Sequence, residues 1–239
     1  MRAEPNELTV SRSAFHRELE RLQDDVLVLG SMVEKAIGRS VDALRNRDTA
    51  NARTIEAEDV LINKKRFDIE EAALLLIATQ QPMASDLRRL AAVLHIVTDL
   101  ERMGDYAAGI AHICIQIGDQ PHIKPLIAGE AAALRHIPRM ADKAVGMLRR
   151  SLDAFVERDV YAAEAIAAED DEVDALYQQV YRELLTLMLA NPRTIDQATH
   201  LLWVAHNLER VADRVQNICE RVVFVVTGRM RELSRGSPG

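Results

Sequence analysis

Two short stretches of this sequence carry the same pair of acids at the same spacing. Residues 99–105 read Asp-Leu-Glu-Arg-Met-Gly-Asp, and residues 207–213 read Asn-Leu-Glu-Arg-Val-Ala-Asp. Glu101 and Asp105 stand four residues apart, as do Glu209 and Asp213. Residues four apart share a helix face, so each stretch projects two carboxylates in one direction. That arrangement can chelate a cation or pair with a base. Two upstream pairs add oxygens: Asp59 with Asn63, and Asp170 with Asp174. Four oxygens from two helices suit a hard or borderline cation such as Mg²⁺, Mn²⁺, Fe or Zn²⁺. The second set is all carboxylate, and Asn217 extends it four residues beyond Asp213.

On a helical wheel of about 100° per residue, Glu101 falls within roughly 40° of Leu90, Leu94 and Val97. Asp105 falls at the edge of that apolar stripe, while His95, Asp99, Arg102 and Tyr106 fall opposite. Glu209 lines up with Ala198, Leu202 and Ala205 in the same way. An acid beside an apolar stripe must be paired or coordinated to offset its desolvation. The competing reading is plain ion pairing, with Glu101 meeting an Arg of a neighbouring helix.

The acids recur because the chain does. Ser40–Asp48 matches Ser151–Asp159 at an offset of 111, and Asp59 and Asn63 match Asp170 and Asp174 at that offset. Gln81-Pro82 matches Asn191-Pro192 at an offset of 110, and the acid heptapeptides match at 108. A unit of roughly 110 residues exceeds a solenoid repeat of about 20–50, so tandem domains are expected. Hydrophobic residues make up 48% of the chain but aromatics only 4%. Ala and Leu favour helix over strand. Long uninterrupted segments run over 14–46, 49–79, 83–118, 128–157, 160–190 and 194–232. Asp48 and Asp159 are expected N-caps, and Pro82 and Pro192 are expected to open the third helix of each half. Pro138 should kink the fourth helix or mark its start.

The expected fold is all-α, two tandem three-helix bundles. The first bundle spans 14–118 and the second 128–232, joined by a linker over 119–127. Residues 1–13 and 233–239 are expected to be disordered.

Composition excludes several classes. No apolar run reaches the 18–20 residues of a membrane span, and the N-terminus lacks a signal core. The net charge of −7 argues against a nucleic-acid partner. Cys114 and Cys219 lie apart in apolar surroundings, as buried thiols of a reducing, cytoplasmic compartment. Phosphate-cradling glycine loops, nucleophile elbows and His-Glu-x-x-His are all missing. No histidine has a Glu three residues before it, which removes the Glu-x-x-His pattern of a di-iron oxidase. Of the histidines, His95, His112 and His206 are the candidates to face a site.

In combination these motifs resemble the PhoU family, phosphate-transport accessory proteins of bacteria. The resemblance covers residues 14–228. It is carried by Gln80-Gln-Pro-Met-Ala-Ser-Asp-Leu-Arg88, by Asp99–Ala107, by Asn207–Asp213, and by Asn217-Ile-Cys-Glu220. It implies two similar three-helix bundles and metal clusters, with iron or zinc expected. It also implies negative control of phosphate uptake and of the phosphate-starvation response, without catalysis. The implied partners are the ATPase subunit of the phosphate ABC transporter and the phosphate sensor histidine kinase; a homodimer stays open. By position, Glu101 and Asp105 match the first-bundle motif, and Glu209 and Asp213 the second; Asp59, Asp170 and Asp174 match the second-helix acids. The chain departs from the pattern at Asn63 and at Gly109, both in the first bundle. The alternatives are a metal-free structural helical adaptor and, behind it, a carboxylate–metal hydrolase.

Overall fold

A computed structural model describes residues 7–118 and 133–233, with side chains over 14–118 and 135–233. The described residues form seven α-helices and no strand: α1 (Glu7–Asn46), α2 (Thr49–Gln80), α3 (Ser85–Gly118), α4 (Ala133–Glu157), α5 (Val160–Ala168), α6 (Asp170–Ala190) and α7 (Ile195–Thr227). A single 3₁₀ turn, Pro192–Thr194, leads into α7. Helices α1–α3 pack together as one bundle, and α4–α7 as a second. The linker expected over 119–127, and the terminal stretches 1–6 and 234–239, lie outside the described residues. Helix α1 begins at Glu7, inside the stretch expected to be disordered.

The same corner is built twice. Arg47 and Arg158 take left-handed backbone, with φ of 54° and 59°. The following amides, of Asp48 and Asp159, reach back to the carbonyls of Ala43 and Ala154 at 2.9 and 3.0 Å. This six-to-one closure satisfies carbonyls at the end of the first helix. The Asp48 carboxylate then accepts from Asn51 N, and Asp159 from Ala162 N, both at 3.0 Å. These are the N-caps read from the sequence. Pro82 differs from expectation, since α3 starts three residues later, at Ser85. Pro138 lies inside α4, past its first turn.

The segment expected to run unbroken over 160–190 is interrupted at Glu169. There the backbone tightens, with Glu169 N bonding to Ile166 O at 3.0 Å. The side chain explains the site of the break. Arg150 grips Glu169 with two bonds of 2.6 and 2.7 Å, and Lys143 adds a third contact at 2.5 Å. Those bonds hold its carboxyl down at about 2.

The two bundles share one apolar core, joined where α3 packs on α7 and α1 on α4. Gly30 allows the α1–α4 approach, since a Cβ there would stand 2.2 Å from Leu152 Cδ1. Glu34 and Arg149 close the same seam at 2.7 Å. Because α3 packs on both sides, the single-bundle wheel needs correcting. His95 and Arg102 are exposed as it implied, but Asp99 is 8% exposed and Tyr106 is half-buried, both facing α7.

Candidate functional site

In the first half, α2 and α3 bring Asp59, Asn63, Glu101 and Asp105 to one region. Asn63 Nδ2 donates to Asp59 Oδ2 at 2.8 Å. Asp59 and Glu101 both titrate above the ordinary carboxylate range, chiefly through burial and then through the Asp105 charge. Two bases oppose the acids. Arg66 reaches Glu101 at 3.5 Å, and Arg102 reaches Glu101 at 3.6 Å and Asp105 at 3.1 Å. The ion-pair alternative for Glu101 is therefore present, through an Arg of α2. Asp59 Oδ1 and Glu101 Oε2 are buried without a hydrogen bond.

In the second half, Asp170, Asp174, Glu209 and Asp213 gather in the matching place, and the balance is different. Glu209 is pushed up to about 7, first by burial, then by Asp213, Asp174 and Asp170, with Arg210 opposing. His206 Nδ1 lies 3.4 Å from Glu209 Oε2, and the His206 ring sits between Tyr177 and Trp203 at 6.1 and 5.9 Å. Asp170 is 2% exposed and accepts from Gln216 Nε2 at 2.8 Å. Asn217 does not join the group. Its amide donates to Asp99 Oδ1 at 3.0 Å, across the α3–α7 seam. His95 is exposed, and His112 pairs with Glu56 at 3.0 Å.

The donor chemistry suits a cation in both halves, since carboxylates crowd together, and in the first half two buried oxygens also lack donors. Among the described residues, no three of His, Cys, Asp and Glu stand near enough to hold a metal ion.

The seam between the halves was not legible from the motif. Arg214 reaches Asp99 at 3.3 Å, Arg210 Nε donates to the Tyr106 hydroxyl at 3.0 Å, and the Arg210 guanidinium lies 5.1 Å over the Tyr106 ring. Tyr106 and Gly109 in the first half stand where Arg214 and Asn217 stand in the second. Those mismatches were the available signal.

The repeated bundles find a match in known proteins. The PhoU domain matches residues 26–114 and 137–222, one copy on each half. The chain belongs to the PhoU family. A PhoU homologue of Clostridium acetobutylicum, a phosphate-specific transport system accessory protein, is 36% identical over 94% of this chain and 100% of its own. One from Rhizobium meliloti is 37% identical over 90% of this chain and 88% of its own. Among solved structures, PhoU from Pseudomonas aeruginosa superposes with a TM-score of 0.81 at 33% identity, covering 90% of this chain and 100% of that one. The PhoU-family fold is thus the fold of the whole helical body. Among the described residues, no helix is long and apolar enough to cross a membrane.

Proposed function

We propose that this chain is an accessory regulator of phosphate uptake, a helical adaptor and not an enzyme. The observation that carries this reading is the double PhoU match, backed by near full-length similarity to phosphate-transport accessory proteins. Its partners, on this reading, are the ATPase subunit of a phosphate ABC transporter and a phosphate sensor histidine kinase, met in the cytoplasm. The acidic chain, at −7, favours basic regions on those partners and speeds encounter more than it tightens the complex. The adaptor role needs no bound metal; in the first half Arg66 and Arg102 already supply positive charge to Glu101.

A pull-down from phosphate-replete cells should recover the transporter ATPase or the kinase. Deleting the gene should leave the starvation genes on in phosphate-rich medium. Normal repression in a strain with no second copy would sink the proposal.

A metal-dressed adaptor is the second reading. It is favoured by Glu209, whose carboxyl sits near 7 among three other acids. Iron or zinc held by Asp170, Asp174, Glu209 and Asp213 would relieve that crowding. Metal analysis of purified protein tests it. Stoichiometric metal that disappears in Glu209→Gln/Asp213→Asn supports this reading, and metal-free protein that still binds its partners excludes it.

A further inference from the structure

The solvent face of α2 carries an apolar row that its counterpart in the second half lacks. Val60, Phe67 and Leu74 recur every seven residues and are 64%, 58% and 56% exposed. Lys64, Glu71 and Ala78 alternate with them, so the row follows the four-three spacing of a helix–helix seam. It runs for about 27 Å at 1.5 Å per residue. Phe67, Leu74 and the neighbouring Leu75 line one open groove. The opposite face of α2, with Ile55, Ile62 and Ile69, is already buried in the core. On α6 the places of Val60, Phe67 and Leu74 are taken by Asp171, Gln178 and Leu185. The scaffold therefore does not require an apolar row there, and a row this long on a solvated face marks an interaction surface.

We propose that this face binds the same face of a second copy of this chain, as an antiparallel helix pair centred on Phe67. The charges in the row choose both the occupant and its direction. Lys64 stands three residues before Phe67 and Glu71 four after it. Reversing the second helix sets each Lys64 against the partner's Glu71, and each Val60 against the partner's Leu74. A parallel pair would instead set each Lys64 on the partner's Lys64 and each Glu71 on the partner's Glu71, which like-charge repulsion disfavours. The row is thus complementary to itself, the condition for an isologous two-fold contact. Glu71 is exposed and, among the described residues, has no ion pair. Lys64 reaches Asp68 of its own helix at 2.6 Å, with both side chains more than half exposed. Such a pair contributes little, so the Lys64 ammonium can be shared with the partner.

The test is analytical ultracentrifugation of the full chain over a concentration range of about 1–200 µM, which brackets a dimer dissociation constant on the order of 10 µM. Phe67→Glu and, independently, Val60→Glu change exposed positions outside the core, and each should weaken the dimer at least about a hundredfold. Lys64→Glu should weaken it about tenfold, because two facing pairs become repulsive. Lys64→Glu/Glu71→Lys should restore it to within about threefold, since the swap keeps opposite charges facing in an antiparallel self-pair. A chain that stays monomeric across that range would overturn the proposal. A dimer indifferent to Phe67→Glu and Val60→Glu, or a double swap no better than Lys64→Glu alone, would do the same. So would a monomeric chain whose Phe67→Glu variant no longer recovers the transporter ATPase or the kinase, because the face would then belong to that partner.

Discussion

The two acid groups sit at equivalent places on the same scaffold and carry opposite surroundings. The first has Asn63 and Arg66 where the second has Asp174 and Tyr177. Each difference makes the second group more acidic or less opposed by positive charge. Arg102 and Arg210 are also equivalent, yet Arg102 turns onto Glu101 and Asp105 while Arg210 turns across the seam onto Tyr106. A repeated backbone therefore does not repeat its local field. The second group is left as the tunable one because the seam between the bundles competes for its neighbouring bases.

The seam is where the comparison breaks most readily. Asp99→Ala should destabilise the chain by about 2–3 kcal/mol, since it leaves Arg214 and Asn217 without their shared acceptor. The figure sits at the low end because Arg214 keeps partial contact with water. Chemical denaturation measures it. A loss under about 0.5 kcal/mol, the range of ordinary surface changes, would show that the seam does not hold the halves together.

Next in size is the titration of Glu209. Its folded value of about 7 lies above the ordinary glutamate value of 4.5. Between those values the folded chain binds more protons than the unfolded one, so stability should fall as pH rises from about 4.5 to 7. Allowing for solvent screening, the contribution is on the order of 1–3 kcal/mol. Glu209→Gln should remove that part of the slope and stabilise the protein at pH 8. Glu101→Gln should do much less, because Arg66 and Arg102 lose a partner in exchange. Melting curves of both variants from pH 4 to 8 separate the two halves directly, and equal slopes would refute the asymmetry.

A transplant sharpens the same point at smaller scale. Asn63→Asp with Arg66→Tyr gives the first group the composition of the second. Glu101 should then titrate higher, and the variant should lose about 1 kcal/mol at pH 8 that it regains near pH 5. Carbon-detected NMR of the Glu101 carboxyl checks the shift. An unmoved Glu101 would mean that burial alone, not the bases, sets its environment.

How much of this was readable depended on whether a feature lay along the chain or across it. Asp48 and Asp159 announce helix starts because capping is local, and both cap as expected. The doubled Glu-x-x-x-Asp pattern located both acid groups for the same reason. Asn217 was grouped with Asp213 because four residues put them on one face. A spacing rule could not see Asp99 on a helix from the other half taking the amide. An Arg of a neighbouring helix was expected as an alternative partner for Glu101, but that it is Arg66 was not legible, because the two are thirty-five residues apart on different helices. The break at Glu169 escaped because it depends on Arg150 and Lys143 converging from α4, not on any Gly or Pro in the segment.

The smallest effect tests the one feature on which the halves should agree. Asp48→Ala and Asp159→Ala each remove a carboxylate that accepts from a first-turn amide at 3.0 Å. The flanking geometry is also shared, since both follow a left-handed arginine and both close onto an alanine carbonyl five residues back. Losing such a cap costs about 0.5–1 kcal/mol at a solvent-exposed helix start. The two caps have no partner in common, so the double variant should lose the sum within about 0.5 kcal/mol. Equal single losses would place the divergence of the halves in side-chain chemistry and leave the scaffold common to both. Unequal losses would show that the seam also tunes the corners, because only tertiary contacts could distinguish two caps with the same local bonds.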